Sequence, residues 1–190
     1  MSPILGIYAS QISGHLTPPS NYYSIATQTV GSGGASSITF SSIPSTYTHL
    51  QLRYMAQATG SGSYTPYLQM GNGSIDTSNN YSFHFINGNG SSVTAVGQSS
   101  SGNNVILTSV ISNNSNTNIF GVGIIDILDY ANVNKTKVIR NLGGADSNGS
   151  GNVGLFSGAW FSTSAINTLT LFNGGANWAQ NTTFALYGVR

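Results

Sequence analysis

The chain contains no cysteine and no glutamate, and it carries little charge of either sign. Its 190 residues include five Lys or Arg and four Asp, so that 5% of the sequence is charged, against about 25% in an average soluble domain. Without cysteine, a disulfide framework and thiolate metal ligation are both excluded. The fold must therefore be stabilised by burial of apolar side chains and by hydrogen bonds.

The charge that is present offers little basis for binding nucleic acid or a membrane. The formal net charge is +1, and the one basic cluster is Lys135, Lys137 and Arg140. Several phosphate contacts supply most of the affinity for duplex nucleic acid, so we expect no nucleic-acid partner. No apolar run approaches the roughly 18 residues of a membrane-spanning helix. The N-terminus also lacks the basic start and apolar core of a secretory signal peptide, so we expect no membrane partner and no export by that route.

Glycine, serine, threonine and asparagine replace the missing charge, and their arrangement predicts β-structure. With no glutamate and few lysines or arginines, the chain lacks the residues that fill exposed helix faces. Tyr47–Ala58 alternates cleanly, with Leu50 and Leu52 on one face and Gln51 and Arg53 on the other, which is typical of a half-buried strand. Roughly 10–12 such short strands, separated by turns, predict an all-β, antiparallel β-sandwich that is jelly-roll-like.

Three further segments carry specific structural predictions. Ile119–Tyr130 is the longest apolar run, and we expect a central strand buried on both faces, with Gly121 and Gly123 marking close packing or a bulge. Asn87–Gly90 predicts a hairpin turn, because asparagine and glycine tolerate positive φ. Gly143–Gly154, which is rich in glycine, serine and asparagine, predicts a flexible loop.

The first twenty residues differ from the rest. We predict an extended N-terminal arm over residues 1–20 and a single β-sandwich domain over residues 21–190. The arm is interrupted by glycine and proline, yet it contains the apolar residues Ile4, Leu5, Ile7 and Tyr8. These side chains need a surface to cover them. The arm either packs along its own domain or inserts into a neighbouring subunit or partner as an anchor.

Two aspartates are the nearest approach to a catalytic pair. Asp126 and Asp129 lie three positions apart, which on a strand places them on opposite faces. They therefore cannot easily flank one sugar, as the two carboxylates of a glycosidase must. We expect them instead to pair with Lys135, Lys137 or Arg140 across a hairpin.

Other chemistry finds equally little support. His15, His49 and His84 are scattered, without the spacing of a metal site. Gly149–Gly151 lies in a loop and lacks the pattern of a nucleophile elbow. We therefore predict no enzymatic activity, no bound metal and no cofactor.

The two tryptophans are the candidates for sugar recognition. Trp160, close to Phe156 and Phe161, is predicted to belong to the core. Trp178 lies in the polar segment 173–183, and we expect it to be the exposed one. If the protein binds carbohydrate, Trp178 is the predicted sugar-contact residue.

Five stretches of the sequence resemble a known class of protein. They are ASQISGHL (9–16), VGSGGASSITFSSIP (30–44), YTHLQLR (47–53), IDILDYAN (125–132) and FALYGV (184–189). Together they resemble small virion proteins of tailed bacteriophages, especially those of phages that infect cyanobacteria and other aquatic bacteria. The resemblance covers most of the chain, implies a jelly-roll-like sandwich without catalytic residues, and transfers no functional residue.

The resemblance and the composition together predict a non-enzymatic structural protein of the virion, assembled in the host cytoplasm. The first expectation is a capsid decoration, or cement, protein, a homotrimer bound to the major capsid protein through Ile4, Leu5, Ile7 and Tyr8. A trimer would match the local symmetry of many phage sites. The alternative is a tail-fibre or tail-tip component that binds a host-surface glycan, with Trp178 as its contact. A third class, a polysaccharide-degrading enzyme, would need converging carboxylates.

Overall fold

Fifteen β-strands and no helix form within the part of the chain that the computed structural model describes, which is residues 21–61, 63–108, 110–112 and 118–190. None of these residues therefore belongs to a helix able to cross a membrane. The strands are β1 (Tyr22–Thr29), β2 (Ser37–Phe40), β3 (His49–Ala58), β4 (Ser63–Tyr64), β5 (Pro66–Asn72), β6 (Ser74–Ile75), β7 (Tyr81–Gly88), β8 (Val93–Gly102), β9 (Val105–Ile106), β10 (Val110–Ser112), β11 (Gly121–Ile127), β12 (Lys137–Asp146), β13 (Gly151–Trp160), β14 (Thr168–Asn173) and β15 (Thr183–Val189).

The strands form two sheets of unequal size. The larger sheet has the order β1-β15-β3-β11-β12-β13-β7-β8, with β10 joined to β3 and β4 joined to β10. The smaller has the order β2-β14-β5-β6, with β9 joined to β5. All neighbours are antiparallel except β10 and β3. The antiparallel all-β sandwich predicted from the sequence is confirmed.

The core lies between the two sheets because each contributes the apolar side of alternating strands. In β3, Leu50 and Leu52 are buried, as the pattern of that segment predicted. Leu169 and Leu171 of β14 are buried in the same core cluster. Trp160 is also buried, as predicted, and its ring stacks on that of Tyr81 with centroids 6.5 Å apart.

The hairpin predicted at Asn87–Gly90 is confirmed, although Asn87 and Gly88 end β7 and the turn covers residues 89–92. The predicted flexible loop at Gly143–Gly154 is wrong. Most of that loop belongs to β12 and β13, which pair along their full length from Lys137 to Asp146. Asn148 and Gly149 both have positive φ, the geometry of the type I′ turn that favours Asn-Gly in tight hairpins.

The prediction that Ile119–Tyr130 is buried on both faces is also wrong. Within this run β11 alternates between buried and accessible positions, with Ile125 and Ile127 buried and Val122 and Ile124 exposed. The expectation of close packing at a glycine does hold, since a Cβ on Gly123 would lie 2.3 Å from the Tyr54 ring. Residues 1–20, with the predicted anchor, lie outside the described residues.

A carboxylate joins the β6–β7 connection to β13. Asp76 accepts hydrogen bonds from Trp160 Nε1 (2.7 Å), Asn80 Nδ2 (3.1 Å) and the backbone N–H and hydroxyl of Ser78. Desolvation opposes ionisation of this group, but the hydrogen bonds from Ser78, Trp160 and Asn80 prevail and hold the pKa of Asp76 well below its usual range. The ionised form is therefore part of the native structure.

Replacing Asp76 with asparagine is expected to lower the free energy of unfolding by about 1–2 kcal/mol at neutral pH, because an amide offers one acceptor oxygen instead of two. Since the pKa of Asp76 is lower in the folded than in the unfolded state, its contribution is complete above about pH 4 and is lost as the pH falls toward the folded pKa. The difference between the wild type and D76N should therefore shrink in acid.

Urea unfolding from neutral pH down to about pH 2.5 measures this difference. Asp146→Asn is the matched control, because Asp146 is exposed and accepts a backbone N–H from Asn148. A D76N penalty that stays constant over the whole pH range would contradict the role given to the carboxylate.

A candidate interaction face

The surface of the larger sheet that points away from the smaller one, called here the outer face, carries most of the exposed apolar side chains. Among the described residues, fourteen large apolar side chains are exposed. Strand register places ten of them on the outer face. These ten are Tyr22, Met55, Ile86, Val93, Val122, Ile124, Val138, Leu142, Val153 and Leu155.

Four of them form a continuous line across four strands. Ile124 of β11 pairs with Leu142 of β12, Leu142 pairs with Leu155 of β13, and Leu155 pairs with Ile86 of β7. Side chains directly opposite one another on neighbouring strands are in contact range. Ile124, Leu142, Leu155 and Ile86 are called here the apolar ridge, and Ala95 of β8 continues their line to the sheet edge.

The row next to the ridge alternates large and small residues. Register places Met55, Val122, Gly144, Val153, Gly88 and Val93 in this order across the sheet, and they are called here the mixed row. Because glycine has no side chain, Gly144 and Gly88 leave gaps between the valines. A hollow of about 640 Å³ opens here, and its lining includes Gly88, Val122, Gly144 and Val153.

A polar row runs along the opposite flank of the ridge. It consists of Gln51, Asp126, Arg140, Ser157 and His84. A second hollow, of about 480 Å³, lies between the ridge and the β8 end of this row, lined by side chains including Ile86, Leu155, His84 and Ser157. The apolar ridge therefore stands between two depressions.

Three charged side chains of the outer face, Asp126, Arg140 and Arg53, make contacts within the chain. Arg140 donates to Asp126 Oδ2 at 2.7 Å, and Gln51 Nε2 donates to Asp126 Oδ1 at 2.8 Å. Desolvation acts against ionisation, but the hydrogen bonds from Arg140 and Gln51 lower the pKa of Asp126. The Arg53 guanidinium lies over the Tyr22 and Tyr187 rings, 5.2 and 4.9 Å from their centroids. The four ridge residues are uncharged and one flank carries the Asp126–Arg140 pair, while Arg53 lies beside Ile124 and Asp146 lines the hollow next to the mixed row.

An antiparallel sheet with one solvated side normally has polar side chains on that side, and the outer face departs from this pattern at the ridge. Full burial of a Val, Leu or Ile side chain contributes about 1.5–3 kcal/mol, so covering these half-exposed side chains would contribute about 1 kcal/mol each. Contiguous exposed apolar surface of this kind is typical of sites that contact proteins, membranes or ligands. The arrangement is therefore suited to contact with another apolar surface.

The remaining candidates from the sequence do not form a second site. Asp129 lies in the turn after β11, paired with Lys135 at 2.6 Å, while its backbone N–H donates to His49 Nδ1 at 3.0 Å. Hydrogen bonding and charge from Lys135 lower the pKa of Asp129. The predicted pairing of Asp126 and Asp129 with cations is confirmed, and the two carboxylates have different partners.

The structure also keeps the histidines apart. His49 lies beside Asp129, and His84 lies over Gly97 on the outer face, whereas His15 is outside the described residues. The described part of the chain contains no group of three or more His, Cys, Asp or Glu residues that could hold a metal ion.

The exposed position predicted for Trp178 is wrong. Its side chain has 0% exposure, its Nε1 donates to the Leu171 carbonyl at 3.2 Å, and its ring meets Phe184 edge-on at 4.9 Å. The polar neighbours that suggested exposure form the surface turn, while the indole points into the core between the sheets. Trp178 is therefore not available to stack on a sugar.

Sequence reasoning did not identify the outer face. In the sequence, β11 is apolar at consecutive positions such as Ile124 and Ile125, and this pattern predicts a strand buried on both faces. Only the register among β11, β12, β13 and β7 shows that these residues join exposed side chains from elsewhere in the sequence. Comparisons of the chain with protein-family models, with curated proteins and with solved structures found no match in any of the three.

Proposed function

We propose that this chain is a non-enzymatic structural subunit of a tailed-phage virion, a decoration protein that binds the outside of the capsid and stabilises the shell. The observation that carries the proposal is the outer face, where an uncharged apolar ridge is left uncovered by the part of the chain that the structure describes. A surface of this kind suits a protein whose work is to pack against other subunits. The resemblance to small virion proteins of tailed phages is the reason for proposing a phage particle.

The physical role follows from the geometry of a shell under internal pressure. A decoration subunit contacts capsid subunits on both sides of a joint and buries additional surface there. These contacts must break before the joint can open. The cores of protein interfaces are depleted in charged residues, which agrees with a chain in which 5% of residues are charged. In this proposal Ile4, Leu5, Ile7 and Tyr8 anchor the subunit to the major capsid protein, and the outer face remains for a different contact.

The competing functions lack the residues they would need among those described. Glycan binding at a tail tip had Trp178 as its contact, and that indole is buried. Polysaccharide cleavage had Asp126 and Asp129, and each carboxylate is paired with its own cation. Protein packing is therefore the function that the geometry favours.

The number of copies per virion tests the proposal directly. Quantitative mass spectrometry of purified particles is expected to give a copy number comparable with that of the major capsid protein. In full-length chains, replacing Ile4 and Ile7 with aspartate should remove the protein from particles, because a charge buried without a partner is strongly unfavourable. The matched control replaces Ser10 and Ser13 with aspartate, which adds the same charge at positions that are already polar.

A copy number that is a small fraction of that of the capsid protein would place the chain on the tail and contradict the decoration role. Normal occupancy by the Ile4 and Ile7 variant would contradict the anchor. Circular dichroism of both variants confirms that loss from the particle is not loss of folding.

A further inference from the structure

We infer that a second copy of this chain packs on the outer face, so that two chains form a two-fold dimer with their larger sheets face to face. This inference rests on the outer face and not on the virion assignment, and it names the contact that the proposed anchor leaves open. Two stacked sheets lie about 10 Å apart with strands about 30° from parallel, an arrangement that two twisted sheets of the same hand can adopt.

The size of the face matches a protein partner better than a small ligand. Eight neighbouring strands span about 34 Å at about 4.8 Å per strand, and seven residues along a strand extend about 24 Å. The outer face therefore measures roughly 800 Å², which is about the area that each partner buries in a stable protein interface. A second sheet of the same dimensions is large enough to cover the ridge and the mixed row.

The distribution of exposed apolar residues favours a two-fold arrangement. In such an interface the same patch serves both subunits, whereas a closed ring such as a trimer needs two different complementary patches on each subunit. Ten of the fourteen exposed large apolar side chains lie on the outer face. The other four, Val96, Leu128, Val133 and Phe161, lie on the opposite side of an edge strand or outside the strands. The described residues thus offer one apolar patch for one kind of contact.

The outer faces of two copies have complementary shapes when they are related by a two-fold axis. If the axis lies midway between the two sheets, parallel to both sheets and to the rows, and runs above the line between the ridge and the mixed row, the ridge of each copy lies over the mixed row of the other. Gly144 and Gly88 leave space there for the side chains of the ridge. Interdigitation of large and small residues is how facing sheets reach the packing density of a protein core.

The same arrangement places the Asp126–Arg140 ion pair at the edge of the contact. The polar row lies on the flank of the ridge away from the axis, so Asp126 and Arg140 move to the rim with their ion pair intact. Arg53 pairs with Ile124, so it lies at the β3 end of the ridge line, where its guanidinium rests over the Tyr22 and Tyr187 rings. Interfaces with an apolar centre and a polar rim are the usual pattern.

The mass of the isolated full-length chain in solution tests the inference. Sedimentation equilibrium is expected to give twice the monomer mass of 19.8 kDa. Leu155→Lys places a charge in the middle of the ridge, and we expect the dimer dissociation constant to rise about a hundredfold or more. Because Leu155 is 46% exposed, the monomer should keep its fold, which urea unfolding checks.

A second variant tests the fit of the two surfaces rather than their polarity. A Cβ on Gly88 would have its nearest heavy atom at 3.9 Å, so Gly88→Leu fits within the monomer but fills the space that the partner's ridge needs. The dissociation constant should rise at least about tenfold, as overpacked contacts are destabilised. Val133→Lys is the control, since Val133 is 62% exposed and lies in the turn outside the face; it should leave the dimer unchanged.

Three results would overturn the inference. They are a wild-type chain that stays monomeric at its highest soluble concentration, a trimeric mass, and an unchanged dimer in Leu155→Lys. None of them alters the copy number on the particle, so failure of the dimer and failure of the decoration role are distinguishable.

Discussion

Replacing Trp178 with alanine is expected to lower the free energy of unfolding by about 3–5 kcal/mol, the range for removing a large aromatic side chain from a core. The indole connects the two sheets: its Nε1 donates to the Leu171 carbonyl of β14, and its ring contacts Phe184 of β15. The backbone of Trp178 also exchanges hydrogen bonds with Ala35. Alanine would leave a cavity at the point where the sheets are joined, together with a carbonyl that loses its donor.

Urea unfolding of the wild type, Trp178→Ala and Trp178→Phe measures the effect. Phenylalanine keeps an aromatic contact with Phe184 and loses the indole N–H and some volume, so its penalty should be smaller, about 1–2 kcal/mol. A loss below about 1 kcal/mol for the alanine variant would contradict burial of this side chain. It would also restore Trp178 as an accessible residue for carbohydrate.

Replacing Lys137 with methionine is expected to lower the free energy of unfolding by about 3 kcal/mol, because three backbone carbonyls lose their charged donor. Lys137 has 0% exposure, and its Nζ donates to the carbonyls of Asn132 (2.6 Å), Lys135 (2.7 Å) and Thr163 (3.1 Å). Burial lowers the pKa of the Lys137 amine. The three carbonyls use all three of its donors, so this cation fixes the β11–β12 turn to the connection after β13.

Lys135→Met is the matched control, because the same substitution two residues away removes an exposed ammonium. The Lys135 side chain is 61% exposed and pairs with Asp129, and exposed ion pairs of this kind contribute little to stability. The two variants are compared by urea unfolding at one pH. Equal effects of the two substitutions would show that the carbonyl contacts of Lys137 do not stabilise the fold.

The class of fold could be predicted from local patterns, because the alternation of apolar and polar residues along a strand involves only neighbouring positions. In β3 the buried Leu50 and Leu52 and the outward Gln51 and Arg53 lie where the alternation placed them. The hairpin after β7 is equally local, since Gly90 has positive φ and the Asn89 side chain accepts the backbone N–H groups of Ser91 and Ser92. Asn148 and Gly149 form a similar turn with positive φ. Because other small polar residues surround this pair, the local pattern predicts a loop and not two strands.

The strand order and the outer face could not be predicted because they depend on pairing between distant segments. Nothing near Thr183–Val189 indicates that this segment lies between β1 and β3. The local sequence around Trp178 is polar, and burial of its ring is decided by Leu171 and Phe184 on other strands. The apolar run in β11 indicates that both of its faces avoid water, but it does not indicate which molecule covers each face.

The position of β15 determines when the larger sheet can form during synthesis. β15 is the last of the fifteen strands along the sequence, yet it pairs with β1 on one side and with β3 on the other. Until the ribosome has made residues 183–189, β1 has no neighbour in the sheet and one edge of β3 is open. Pairings between such distant segments form slowly, and unpaired edges are prone to associate with other chains in the meantime. The larger sheet is therefore completed only after residues 183–189 have been made, and a chain that stops before Thr183 would leave β1 unpaired and one edge of β3 open.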